Sequence, residues 1–256
     1  MLITSKNPSN WNDLQEDVAT ILRQCGFLAE TNKTVPIARG SIDLDVFAKE
    51  NVKGRENIYI FECKYWKRKV PKSIVHSFRS VVNDLGCNFG YIITKNGFQK
   101  GAIEASGFSS IKLLTWEEFQ NEFFNSWYEN YFIKEFRKTT DKMWRNCEIF
   151  LPEWALKASR ADIIKLKKIR RKYCPLEMFV SSEILMKYNF YLNNEVIGAN
   201  ESDKILQLPI DVLKARRSDV KEIFKIETHN EFLEAIKDFL KEGAIEFSKI
   251  RLKIEA

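Results

Sequence analysis

The sequence predicts an α/β fold in its first half and a mixed α+β region after it, and three patterns carry that expectation. Residues 42–48 and 58–64 alternate in side-chain character, as neighbouring strands do when successive side chains point to opposite faces. Residues 11–25 and 72–85 repeat apolar positions at spacings of three and four, the stripe of an amphipathic helix. Residues 89–94, FGYIIT, form a short apolar run of the kind buried on both faces of a parallel sheet.

In chain order, Ser9 or Asn10 can cap the first helix, whose stripe is Trp11, Leu14, Val18, Ile21, Leu22 and Cys25. Gly26 then stands where a left-handed cap is wanted. Residues 27–37 read as an extended stretch ending at Arg39-Gly40. In the next strand Ile42, Leu44, Val46 and Ala48 are expected on one face, with Asp43, Asp45 and Phe47 on the other. A polar turn, residues 49–57, leads to the strand that sets Tyr59, Phe61 and Cys63 against Ile60, Glu62 and Lys64. The helix 72–85 buries Ile74, Val75, Phe78, Val81, Val82 and Leu85, and His76 lies off that stripe as a structural histidine. After 89–94 come a loop 95–98, a helix 99–106 and a strand 111–114.

From Thr115 a long helix is expected, opened by a capping box of Thr115 and Glu118. Phe119, Phe123, Trp127 and Tyr131, with Phe124, Tyr128, Phe132 and Phe136, make two neighbouring aromatic stripes. They suit either a core helix or a homodimer face over residues 116–137. Residues 162–172 form a basic amphipathic helix, fit for a nucleic-acid backbone or a solvated face. From residue 178 onward the pieces suggest helix and strand together.

The 256 residues have room for one ample core or two modest domains, and 45% hydrophobic with 30% charged residues excludes a disordered chain. A net charge of +6 suits a polyanionic partner without requiring one. Five scattered cysteines and two histidines offer no zinc cluster, and the expectation is buried, reduced thiols in a cytoplasmic protein. No stretch has the length to span a bilayer, so no membrane partner is expected.

The chemistry lies in the charges on the two core strands, because buried charge is costly unless paired or bound to a metal. Two carboxylates from adjacent strands make a hard oxygen site suited to Mg²⁺ with several waters attached, with Mn²⁺ as a substitute. Lys64 can orient a nucleophile and offset charge in a transition state. An aspartate, a gap and Glu62-Cys63-Lys64 resemble the PD-(D/E)XK nuclease superfamily, in particular the Mrr-like restriction endonucleases. The run ECKYWKRKVP at residues 62–71 is similar to the same group. Asp43-Leu44-Asp45-Val46 fits one Mrr-like form with Asp45 leading and Asp43 accessory; Gly40-Ser41-Ile42-Asp43-Leu44 fits another with Asp43 leading. Asp45 is favoured.

The resemblance implies a restriction-endonuclease-like αβββαβ core, with a nuclease domain over residues 1–122 and a linker and further domain over 123–256. It implies hydrolysis of a DNA phosphodiester, with the metal on Asp45 and Glu62 and the water positioned by Lys64. It also places a carboxylate of the first helix near the site, here Glu16, although Gln15 aligns better with the family's step. Lys67, Arg68, Lys69, Lys95 and Arg39 become candidate contacts to the DNA backbone, in a setting of restriction or antiphage defence. A nuclease-like module that binds DNA or a partner without cutting is the alternative.

Overall fold

The computed structural model describes residues 2–37, 40–148, 150–193, 208 and 226–255. The chain divides into two compact units, Leu2–Tyr131 and Phe132–Ala256. The first contains α1 (Trp11–Gln24), β1 (Leu28–Ile37), β2 (Gly40–Val52), β3 (Arg55–Lys64), α2 (Lys72–Asp84), β4 (Phe89–Thr94), α3 (Lys100–Ser106), β5 (Ile111–Thr115) and α4 (Trp116–Trp127). Its five strands lie in the order β1-β2-β3-β4-β5, antiparallel as far as β3 and parallel from β3 to β5. This is the expected restriction-endonuclease-like αβββαβ order, followed by two further helices and a strand.

Local chemistry accounts for the element ends. The Asn10 side chain accepts from the Asp13 amide at 2.9 Å, capping α1, and Gly26 follows the helix at φ +97. The turn between β2 and β3 is only Lys53-Gly54, both at positive φ, in place of the nine-residue polar turn expected. The polar residues read as loop continue the hairpin instead. Lys49 lies opposite Ile58 and Glu50 opposite Asn57, and Lys49 pairs with Glu56 at 2.9 Å.

On one side of the sheet Leu44, Phe47, Ile60 and Ile92 pack with Val75, Phe78 and Val82 of α2 and Ala102 of α3. An aromatic layer joins sheet residues to α4: Phe61 lies 4.9 Å from Tyr91 and 6.1 Å from Phe119, and Tyr91 lies 5.7 Å from Phe123. The stripes of residues 116–137 are thus spent inside the protein. Phe119, Phe123, Trp127, Phe132 and Phe136 are all buried, which removes the aromatic face that a homodimer would need.

A π-helical turn, Tyr128–Phe132, follows α4, and the second unit contains α5 (Ile133–Cys147), a 3₁₀ turn, Glu153–Lys157, α6 (Arg160–Asn193) and α7 (His229–Glu255). The regular elements among the described residues of this unit are helical, which corrects the mixed α+β expectation. In the run FSKIRLKIEA, which mimics strand alternation, residues 247–255 continue α7, whose buried stripe is Phe232, Leu233, Ile236, Leu240, Gly243, Phe247 and Ile250. KILQLPIDVLKA lies outside the described residues, Leu208 excepted. The basic run of α6 is partly structural, since Arg170 donates to the Phe150 carbonyl at 3.0 Å and Lys172 lies 3.1 Å from Glu246. Cys147 and Cys174 form a disulfide between α5 and α6, against the expectation of reduced thiols, while Cys25, Cys63 and Cys87 are free. No helix among the described residues is long and apolar enough to cross a membrane.

The fit of α2 on the sheet depends on Gly90. A Cβ there would stand 2.6 Å from Val82 Cγ2 and 2.9 Å from Phe78 Cε1. Gly90→Val is expected to destabilise the chain by about 1–3 kcal/mol through overpacking, read as a lower midpoint in urea denaturation. An unchanged midpoint would mean that α2 shifts at no cost.

Candidate active site

The site begins where β2 and β3 part. Their ladder runs from Val52 opposite Arg55 back to Val46 opposite Phe61. Beyond it the Cys63 amide donates to Asp45 Oδ2 at 2.7 Å, so a side-chain carboxylate receives a strand N–H that would otherwise need a main-chain acceptor. On the other flank Thr31 lies opposite Val46 and Lys33 opposite Leu44, with Asn32 between them at φ +50. The regular pleat is disturbed at this level. Leu44 and Phe47, placed on opposite faces by strict alternation, belong to one core cluster.

Glu62 and Lys64 lie two apart on β3 and form an ion pair, with 26% and 16% of their side chains exposed. Burial pushes the Glu62 carboxyl above its ordinary range, the neighbouring charge of Asp45 adds to the push, and Lys64 opposes it. Burial likewise raises Asp45; the Cys63 amide, Lys64, Gln15 and Trp11 pull it back. Two carboxylates therefore share one half-buried place with one ammonium. The Asp45 charge acts on Glu62 and the Lys64 charge on both, so two carboxyl groups share this place with one lysine.

Helix α1 lines the place. Trp11 Nε1–H donates to the Cys63 carbonyl at 3.2 Å, which fixes the strand on which Glu62 and Lys64 stand. Gln15 is wholly buried, and its amide favours the ionised form of Asp45. Yet neither amide atom of Gln15 has a partner at good hydrogen-bond geometry. That near-miss is better read as electrostatic proximity than as a formed hydrogen bond. The two carboxyl groups and the unsatisfied amide both fit a hard divalent cation that keeps part of its water shell. Among the described residues no group of three or more His, Cys, Asp and Glu side chains is placed to hold a metal, so water and substrate oxygens would complete the coordination of such an ion.

Other expected residues fall elsewhere. Asp43 is exposed and accepts from Thr34 Oγ1 at 2.6 Å, its partner across the β1–β2 ladder. Glu16 accepts from Thr31 Oγ1 at 2.5 Å and lies 3.6 Å from Arg23, turned to β1 rather than to the carboxylate pair. Helical geometry explains this second departure, because adjacent residues on α1 point about 100° apart and it is Gln15 that shares the buried side with Leu14 and Val18. Lys67, Arg68 and Lys69 are exposed on the loop after β3, with Arg68 5.3 Å from the Trp66 ring centroid. Lys95, at the end of β4, donates to the Tyr65 hydroxyl at 3.0 Å. The two loops are tied by Val70 N–H donating to the Gly97 carbonyl at 3.0 Å. Arg39 lies outside the described residues. Trp11 is the participant that motif reading leaves in the apolar stripe, and Gln15, which aligns with the family's step, takes the place expected of Glu16.

Comparison with known proteins gives one family and one distant structure. Residues 7–123 match the Mrr catalytic family model, described as restriction endonuclease. No curated protein matches. A crystal structure of AF1548, a protein of unknown function, is 18% identical, covers 85% of this chain and 100% of its own, and superposes with a TM-score of 0.40.

The raised carboxyl groups have a thermodynamic consequence. A folded-state pKa above the unfolded value means that the carboxyl's stabilising contribution is present below the unfolded value and is lost as pH rises through the folded one. Ionised Glu62 therefore weighs against the fold at neutral pH. Glu62→Gln is expected to melt a few degrees higher than the parent at pH 7 in metal-free buffer, by roughly the 2–4 °C per kcal/mol typical of chains this size. The gap should narrow as the pH falls toward the ordinary glutamate value of 4.5. A lower melting temperature for the variant at both ends of that range would contradict the assignment of burial as the dominant cause.

Proposed function

We propose, from the match of residues 7–123 to a restriction-endonuclease family model, that the protein is a metal-dependent endonuclease that hydrolyses DNA phosphodiester bonds. One observation carries this reading: Asp45 and Glu62 share a half-buried place with the Lys64 ammonium where two strands separate. Asp45 and Glu62 would hold a divalent cation, Mg²⁺ or Mn²⁺ in its stead. When bound, such an ion lowers the pKa of a water and neutralises phosphate charge.

The chain's own groups do the rest. The Cys63 amide fixes the Asp45 carboxylate, and Trp11 fixes the Cys63 carbonyl, so that the acids are held before substrate arrives. Lys64, now paired with Glu62, stands to orient the attacking water and to meet the charge that develops on the phosphoryl oxygens. Gln15 has both amide atoms free to receive or donate a hydrogen bond at the same place. The exposed charges of Lys67, Arg68, Lys69 and Lys95 would carry flanking phosphates. The helical second unit would serve target choice or assembly, and restriction or antiphage defence is the setting that the family suggests.

Incubation of the purified chain with supercoiled plasmid and Mg²⁺ or Mn²⁺ tests the reading. Nicking or linearisation is expected, with Glu62→Ala and Lys64→Ala each about 10²–10³ slower while retaining the parental circular dichroism. Cutting at the parental rate by the double variant rules the assignment out; DNA binding without any cutting favours the non-cleaving module.

Alanine at Lys67, Arg68 and Lys69 together should weaken binding across sequences alike. If all three meet phosphates, the slope of log affinity against log salt falls by about 3, measured by fluorescence anisotropy from low to moderate salt. An unchanged slope removes these residues from the interface.

A further inference from the structure

Three parallel strands end in one row. Lys64 lies opposite Thr94, and Thr94 opposite Thr115. The residues that follow, Tyr65, Lys95 and Trp116, line a single cleft of about 240 Å³, with Leu14 on its α1 side and Asn7 and Glu117 also in its lining. Open α/β sheets bind ligands in the crevice beyond the carboxyl ends of their strands, and this cleft opens one residue beyond Lys64.

We propose that the cleft is a nucleotide subsite, taking one unpaired DNA base from beside the phosphodiester that is cut. The proposal rests on the nuclease reading and deepens it by naming a substrate class. Size comes first. About 240 Å³ equals roughly eight waters at ~30 Å³ each, room for a single flat heterocycle and below the ~300–1,000 Å³ of sites for drug-sized ligands.

The walls are suited to a ring. Trp116 is buried, its Nε1–H donates to the Lys6 carbonyl at 3.3 Å and its ring stacks on Phe119 at 5.7 Å, so this wall is rigid before any ligand arrives. Tyr65 is half-buried, and the Lys95 ammonium rests 4.7 Å from its ring centroid. Charge then decides between base and phosphate. The Glu117 carboxylate would repel a phosphate lodged inside, but it can accept from an exocyclic amine, and the Asn7 amide can both donate and accept. Exposed Lys95 is the group placed to meet the phosphate attached to that base. A paired base is stacked inside the duplex and cannot enter without being extruded, so the cleft selects nucleotides that are already unpaired.

The test titrates the full-length chain, in EDTA so that strands stay intact, against three oligonucleotides carrying 2-aminopurine at one position. One is fully paired, one presents that position as a single-base bulge, and one is single-stranded. Base–aromatic stacking is worth roughly five- to a hundredfold in affinity. The bulged duplex should therefore bind at least about five times more tightly than the paired one, with quenching of the 2-aminopurine fluorescence. In Tyr65→Ala that ratio should fall toward one. Should Tyr65→Ala not fold, Asn7→Ala and Glu117→Ala, both at exposed positions, are expected to lower the ratio.

Equal affinity for paired and bulged duplexes overturns the proposal; it is also the result expected of a cleft built for a peptide. A preference that survives in all the folded variants overturns it too, as does failure to bind any of the three. Equal affinities together with plasmid cleavage that depends on Glu62 reject the subsite alone. A bulge preference without cleavage under either metal rejects the nuclease reading alone.

Discussion

The bond from the Cys63 amide to the Asp45 carboxylate is the constraint on which the rest of the site depends. A strand that separates from its neighbour leaves a main-chain donor without an acceptor, and a carboxylate beneath the surface needs donors to remain charged. One 2.7 Å contact answers both needs. It also sets Asp45 beside Glu62, because Cys63 follows Glu62 directly and the strand cannot slide without breaking the bond. Trp11 holds the same residue through its carbonyl, in the next peptide group. The geometry of the candidate site is thus set through the main chain of one residue whose own thiol is buried.

The sheet places this constraint at a boundary. Antiparallel hairpins supply β1 to β3, whereas β3 to β5 are joined through α2 and α3 and run parallel. Strand β3 belongs to both halves. Its free flank beyond Val46 receives Asp45, and its other flank is locked to β4 as far as Lys64 opposite Thr94. A rigid aromatic layer of Phe61, Tyr91, Phe119 and Phe123 supports β3 and β4 from behind. Glu62 and Lys64 therefore project from the best-supported strand in the domain, which limits how far they can move apart.

Much of this could be read in the sequence because period-two and period-3.6 patterns are local. Glu62-Cys63-Lys64 needed only alternation to share a face, and the helix 72–85 needed only its stripe. What could not be read depended on departures from regularity or on distant partners. A left-handed Asn32 beside the strand separation breaks the alternation that would have paired Asp43 with Asp45. A short hairpin turn hid behind nine polar residues because solvent-exposed strand ends and loops share a composition. Twenty-six residues separate Cys147 from Cys174, and no local signal joins them. The aromatic helix was ambiguous for a related reason: a stripe states that it will be covered, not by what.

The choice between Gln15 and Glu16 shows how electrostatics can discriminate where motif spacing does not. Burial raises the cost of ionising both Asp45 and Glu62, the Asp45 charge adds to it at Glu62, and a single lysine stands against them. A third carboxylate at the wholly buried position 15 would add negative charge with no further cation at hand, and its desolvation would favour the protonated form. A neutral amide avoids that addition while still offering a donor and an acceptor. Glu16, one residue on, keeps its charge in solvent beside Arg23. Helix α1 thus delivers polarity to the candidate site without delivering charge, and the carboxyl groups there are those of the two strands.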